Sequence, residues 1–189
     1  MIIHEGVNLA EVSESEYDKY VNGLHKINES VEAGRTPICV FISHKSCDKR
    51  IAEYIAKYIR STLRMNVYLD KWDVLLQNAT YSKDDNDIVK CIHKGLNVST
   101  HLLCLLSEET ENSWWVPYEI GYANKSRLSI ATVKLANVIE VPSYLKINTY
   151  IQTARELAVW IDRLPVYRSL LESAQHSNSL EEKLREFFN

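Results

Sequence analysis

Trp115 and Glu119 stand four residues apart in the stretch Ser113-Trp-Trp-Val-Pro-Tyr-Glu-Ile-Gly-Tyr-Ala123. On a helix, positions i and i+4 share one face, so an aromatic plate and a carboxylate would point into the same space. That pair suits a flat cationic ring joined to a sugar. The aromatic face attracts the cation, and the carboxylate stabilises positive charge developing on the sugar. Taken alone, the same spacing also fits a half-buried tryptophan beside a solvated glutamate. Pro117 complicates the geometry, because it belongs in a first helical turn and disfavours the α conformation at Val116. The spacing therefore predicts a regular helix from about Pro117, and leaves Trp114 as an alternative plate to Trp115.

Other candidate groups are spread along the chain. Ser43, His44 and Lys45 follow an apolar run. Asp70 ends a second run, and Trp72 and Asn78 lie in the polar stretch after it. Lys45, Lys49 or Arg50 would suit a diphosphate, and Trp72 would suit stacking on a base or anchoring its own loop. His93 and His101 fall in a helix and at a strand edge, positions that read as structural and not as metal ligands. Cys47 follows a strand in a loop, the one cysteine placed to be a reactive thiol. Cys39 and Cys104 sit inside apolar runs and read as core.

The elements that would hold these groups alternate. Ile38 to Ser43 is short, β-branched and almost wholly apolar, as expected of a strand covered on both faces; Asn66 to Asp70 reads as the second strand and Thr100 to Ser107 as a fully apolar third. Leu128 to Val133 reads as a fourth strand and Val138 to Val141 as a short fifth. Between them, Ile51, Ile55, Tyr58, Ile59 and Leu63 follow helical spacing, as do Ile88, Cys91 and Ile92, with Gly95 as a stop. A last helix is expected from Thr149 to Leu164, stopped by Pro165. Strands alternating with helices imply a parallel sheet with helices on both faces, whose ligands bind beyond the carboxyl ends of the strands. Those ends are Ser43, Asp70 and Ser107. Flanking this domain of residues 37–165 are an N-terminal helical extension (1–36) and a C-terminal tail (166–189). Tyr17, Tyr20, Val21, Leu24 and Ile27 mark the first helix, capped by Ser13 or Ser15. Leu180, Leu184, Phe187 and Phe188 mark the tail, a broken helix that docks on the domain or on a second copy.

Composition excludes several classes. The formal net charge is −3, with 46% hydrophobic and 25% charged residues, so there is no basic footprint for nucleic acid. No apolar run reaches membrane-spanning length, and Met1 to Glu5 lacks the features of a signal peptide. Four cysteines without a Cys-x-x-Cys spacing point to a reducing, cytoplasmic setting and away from a zinc knuckle. Only five glycines are present, and neither a Gly-x-Gly-x-x-Gly nor a phosphate loop occurs. A dinucleotide would then be a consumed substrate and not a hydride-carrying cofactor.

In order and spacing, Val40-Phe-Ile-Ser-His44, Asp48, Asn66-Val-Tyr-Leu-Asp70, Leu102 to Ser107 and Ser113 to Ile120 resemble a TIR (Toll/interleukin-1 receptor) domain of the bacterial type. The resemblance spans roughly residues 37–150. It implies a flavodoxin-like α/β fold with a five-stranded parallel sheet. It further implies cleavage of NAD+ with no other cofactor, release of ADP-ribose or a cyclic isomer, and a role in antiphage signalling of the Thoeris kind. Glu119 matches the family's catalytic glutamate and Trp115 the aromatic four residues before it. Ser43, His44 and Lys45 match the loop lining the nucleotide cleft, and Asp70 to about Ser82 the mobile loop after the second strand. The expected partners are NAD+, further copies of the same chain, and a separate effector activated by the product. A non-catalytic TIR interaction module and a nucleoside deoxyribosyltransferase-like enzyme are the competing expectations.

Overall fold

The structure, a computed structural model, describes residues 5–29, 37–69, 85–110, 113–138, 140–164 and 178–188. In chain order these form α1 (Glu14–Glu29), β1 (Cys39–Ser43), α2 (Lys49–Ser61), β2 (Asn66–Tyr68), α3 (Asp85–Val98), β3 (His101–Leu106), α4 (Trp115–Lys125), β4 (Ser129–Lys134), β5 (Thr149–Ile151), α5 (Ala154–Asp162) and a helical turn pair at 178–184. The five strands make one sheet of order β2-β1-β3-β4-β5, with every pairing parallel. This is the parallel sheet expected from the alternation of apolar runs, in the flavodoxin-like form that the TIR resemblance implies.

Two apolar layers cover the sheet. One joins alternate strand residues Val40, Ile42, Leu103, Leu105, Ala131 and Val133 to α2 and α5. The other joins Phe41, Leu102, Leu106 and Ile130 to α1, α3 and α4. Strands buried on both faces leave no room for polar alternation, which is why these runs are almost wholly apolar. Leu180 and Leu184 are fully buried in the first layer, so the tail docks on its own domain. There Glu186 accepts both hydrogen bonds from the Arg50 guanidinium, at 2.8 and 2.9 Å.

Four expectations about the elements are corrected. The fifth strand is not Val138 to Val141: Val138 is buried but outside a strand, and Thr149–Ile151 pairs with β4 instead. The last helix accordingly begins at Ala154, where Thr153 and Glu156 form a reciprocal capping box. Gly95 does not stop its helix. Helix α3 continues to Val98, and Gly95 lets it approach the stacked rings of Phe41 and Tyr68; a Cβ there would lie 2.6–2.7 Å from both. Helix α4 starts at Trp115 and not at Pro117. Pro117 occupies its third position, where the missing N–H has no intrahelical acceptor to lose, and the Ser113 hydroxyl accepts the Val116 N–H at 3.4 Å.

The N-terminal segment contributes beyond α1. Val67 donates to the Val7 carbonyl at 3.0 Å and Leu9 donates to the Val67 carbonyl at 2.9 Å. The buried Asn8 side chain accepts from the Leu69 N–H at 3.0 Å and donates to the Leu69 carbonyl at 3.2 Å. Residues 7–9 thereby cover the outer edge of β2, a row of backbone groups that would otherwise lack partners.

Candidate functional site

The site is built where three strands and one helix meet. Ser43 ends β1 in register with Cys104 of β3, and Cys104 is in register with Thr132 of β4. Alternation along parallel strands puts all three on the face that α4 covers, and all three are buried. Across from them, Val116, Ile120 and Ala123 anchor α4 to the sheet. Glu119 lies on the same inward side and is only 7% exposed. The Ser43 hydroxyl donates to Glu119 Oε2 at 2.5 Å. An ionised carboxylate only accepts, so a buried hydroxyl aimed at it fixes its rotamer.

Burial pushes the Cys104 thiol up to about 12, with the negative charge of Glu119 adding to the rise and a hydrogen bond with Ser43 opposing it. Cys104 is therefore a neutral floor residue and no nucleophile. Tyr144 packs against the cluster that contains Cys104, and burial, then Cys104, raises its phenol. Thr132 Oγ1 is buried with no hydrogen-bond partner among the described residues.

The residues expected from sequence fall into groups. Trp115 and Glu119 are on one helix with i, i+4 spacing. The Trp115 ring is half-buried against the second core layer and meets the Tyr118 ring edge-on, with centroids 6.2 Å apart. Trp114 instead projects into solvent, 90% exposed. Glu119 is the fifth residue of α4, beyond the first turn, so the positive end of the helix dipole favours its charge less than a start at Pro117 would. Ser43 is turned toward Glu119. His44 Nδ1 lies 3.3 Å from the Ile42 carbonyl, which makes that nitrogen the donor and leaves Nε2 for other contacts. Lys45 is half-buried at the start of the following loop. Asp70, Trp72 and the loop through Ser82 lie outside the described residues.

Cys47 does not behave as an activated thiol. Partial burial pushes its pKa above the ordinary range, opposed by a hydrogen bond with Ser107 and reinforced by the neighbouring Asp48. It lines a cleft of about 260 Å³ at the ends of β1 and β3 with Asp48, Ser107, Glu109, Asn137 and Phe187. The apolar lining of that cleft, Ile51 and Leu135, belongs to the opposite face of the sheet from Glu119. The carboxylates lining that cleft, Asp48, Glu108 and Glu109, are not buried, unlike Glu119. Cys104, Thr132 and Tyr144 were not legible as site residues. Cys104 and Thr132 join Ser43 only through strand register, and Tyr144 arrives from the segment before β5.

Among the described residues no helix is long and apolar enough to cross a membrane, and no cluster of three or more His, Cys, Asp or Glu side chains could hold a metal. No curated protein matches the chain. Residues 40–166, more than half of its length, match the family described as the TIR domain. With that match lying over the five parallel strands and the helix that carries Glu119, the chain belongs to the TIR-domain family.

Proposed function

We propose that this chain is an NAD+-consuming TIR enzyme that breaks the bond between nicotinamide and ribose. The observation that carries the reading is Glu119: a buried carboxylate, held by Ser43 and one turn beyond Trp115, near the carboxyl end of a parallel sheet. Nicotinamide in NAD+ is a pyridinium, so it leaves with the bonding electron pair as a neutral molecule. No general acid has to protonate it, in contrast to an ordinary glycoside. One carboxylate is then sufficient. Glu119 holds the ribose hydroxyls and stabilises the oxocarbenium-like charge at the anomeric carbon. Trp115 is the aromatic wall for the pyridinium. Water adding to the anomeric carbon gives ADP-ribose and a proton; an adenine nitrogen adding there gives a cyclic isomer. His44 and Lys45, in the loop after β1, fit the ribose and diphosphate. The product serves as a signal for a separate effector in antiphage defence, and self-association completes the site.

The fully solvent-facing Trp114 favours a second reading, a TIR module that only assembles. One experiment separates the two. The purified chain is incubated with NAD+ and its products are analysed by mass spectrometry, beside Glu119→Gln and Glu119→Ala. Glu119→Gln keeps an acceptor for Ser43 and removes the charge. The enzyme reading expects nicotinamide release by the wild type and its loss in both variants. Turnover that survives both would sink the role of Glu119, and no release even in concentrated, assembled protein would favour the module.

A further inference from the structure

Helix α3 presents His93 to α4 in an arrangement that the chemistry above does not use. The imidazole stacks on Tyr122 with centroids 4.2 Å apart and an interplanar angle of 25°. It also stacks on Tyr118 at 5.8 Å and 16°. His93 Nε2 and the Tyr118 hydroxyl are joined by a 2.6 Å hydrogen bond. One helical turn on, the Tyr122 hydroxyl donates to Asn97 Oδ1 at 2.8 Å. His93 and Asn97 are i, i+4 on α3, as Tyr118 and Tyr122 are on α4, so the two helix faces interlock at two successive turns. Tyr118 in turn braces the edge of Trp115 at 90°.

We propose that His93 is a positioning residue that sets the orientation of the Trp115 ring through Tyr118. The inference rests on the reading of Trp115 as the wall for the pyridinium. Trp115 and Glu119 share one helix but are braced from different places. Trp115 is steadied from α3 through Tyr118, whereas the Glu119 carboxylate is steadied from β1 through Ser43. A disturbance at His93 therefore reaches the aromatic wall by a route separate from the Ser43 contact to the carboxylate. The wall acts on the bound pyridinium of the ground state, and the carboxylate acts on charge that appears in the transition state. The two supports are separable in kinetics, since loss of ground-state binding raises KM and loss of transition-state contact lowers kcat.

The test uses the full chain with His93→Phe, which keeps the stack and loses the hydrogen bond, together with His93→Ala and Tyr118→Phe. The indole N–H resonance of Trp115, assigned by its disappearance in Trp115→Phe, reports the ring directly and needs no turnover. It is expected to shift in His93→Ala, and in the same direction but less in His93→Phe and Tyr118→Phe, which lose only the hydrogen bond. Because an aromatic contact of this kind is a modest one, His93→Ala should raise KM for NAD+ by about tenfold and leave kcat within about threefold. An unmoved Trp115 resonance in His93→Ala overturns the proposal, as does a fall in kcat with KM unchanged. A wild-type chain that releases no nicotinamide overturns the enzyme reading instead. The brace is then decided by the indole resonance alone.

Discussion

Ser43 and Glu119, 76 positions apart in the chain, are joined by a hydrogen bond of 2.5 Å in the interior of the domain. One residue ends β1 and the other faces inward from α4, so the contact fixes how the helix sits on the sheet as well as where the carboxylate points. Ser43→Ala removes the hydroxyl that donates to the Glu119 carboxylate. A hydrogen bond to a charged group is worth about 1.5–3 kcal/mol, so nicotinamide release should slow by about tenfold to a hundredfold. Steady-state kinetics with NAD+ should show the loss in kcat and little change in KM. An unchanged kcat would remove Ser43 from the support of Glu119.

Gly95 is required by close packing. A Cβ at this position would meet the Tyr68 and Phe41 rings at 2.6–2.7 Å, and both rings belong to the buried core. Gly95→Ala should therefore destabilise the fold, by about 1–3 kcal/mol from overpacking, even though alanine is the better helix former. Urea denaturation measures the difference. A gain in stability would show that α3 can shift away from the rings without cost.

Asn8 ties the N-terminal segment to the edge of β2. Its amide satisfies both the N–H and the carbonyl of Leu69. Asn8→Ala strands these buried groups at a cost of about 2 kcal/mol. Hydrogen exchange at the Leu69 amide should quicken well beyond that of amides in β3. Protection that persists in the variant would mean that residues 7–9 do not hold this edge.

Alkaline conditions should unfold the chain early. Burial raises the Cys39 and Cys104 thiols from 9.0 to about 12, and the Tyr17 and Tyr20 phenols from 10.0 to about 12. Above the unfolded values the unfolded chain loses these protons while the folded chain keeps them, so stability falls as pH rises. The loss should run from 9.0 toward about 12 and be shallower in Cys39→Ala and Cys104→Ala. Urea midpoints measured across that window check the slope, and a flat profile would contradict the burial of these thiols.

The sequence by itself determined the class of fold. Largely apolar runs at 39–43, 101–106 and 129–134, separated by helical spacing, are what a parallel sheet covered on both faces demands. It also carried the Trp115–Glu119 spacing, because helical periodicity is a local property. Weak, short elements were misread for the same reason. Thr149–Ile151 is three residues long, and it is a strand only because β4 lies beside it. Gly95 looked like a stop, since only the position of the Phe41 and Tyr68 rings gives a mid-helix glycine its purpose. Likewise, only the tertiary structure decided the support of the site. Ser43, Cys104 and Thr132 form one row through strand register, and His93 meets Tyr118 through the packing of α3 on α4. Such contacts join residues tens of positions apart, and no periodicity along the chain encodes which of them will touch.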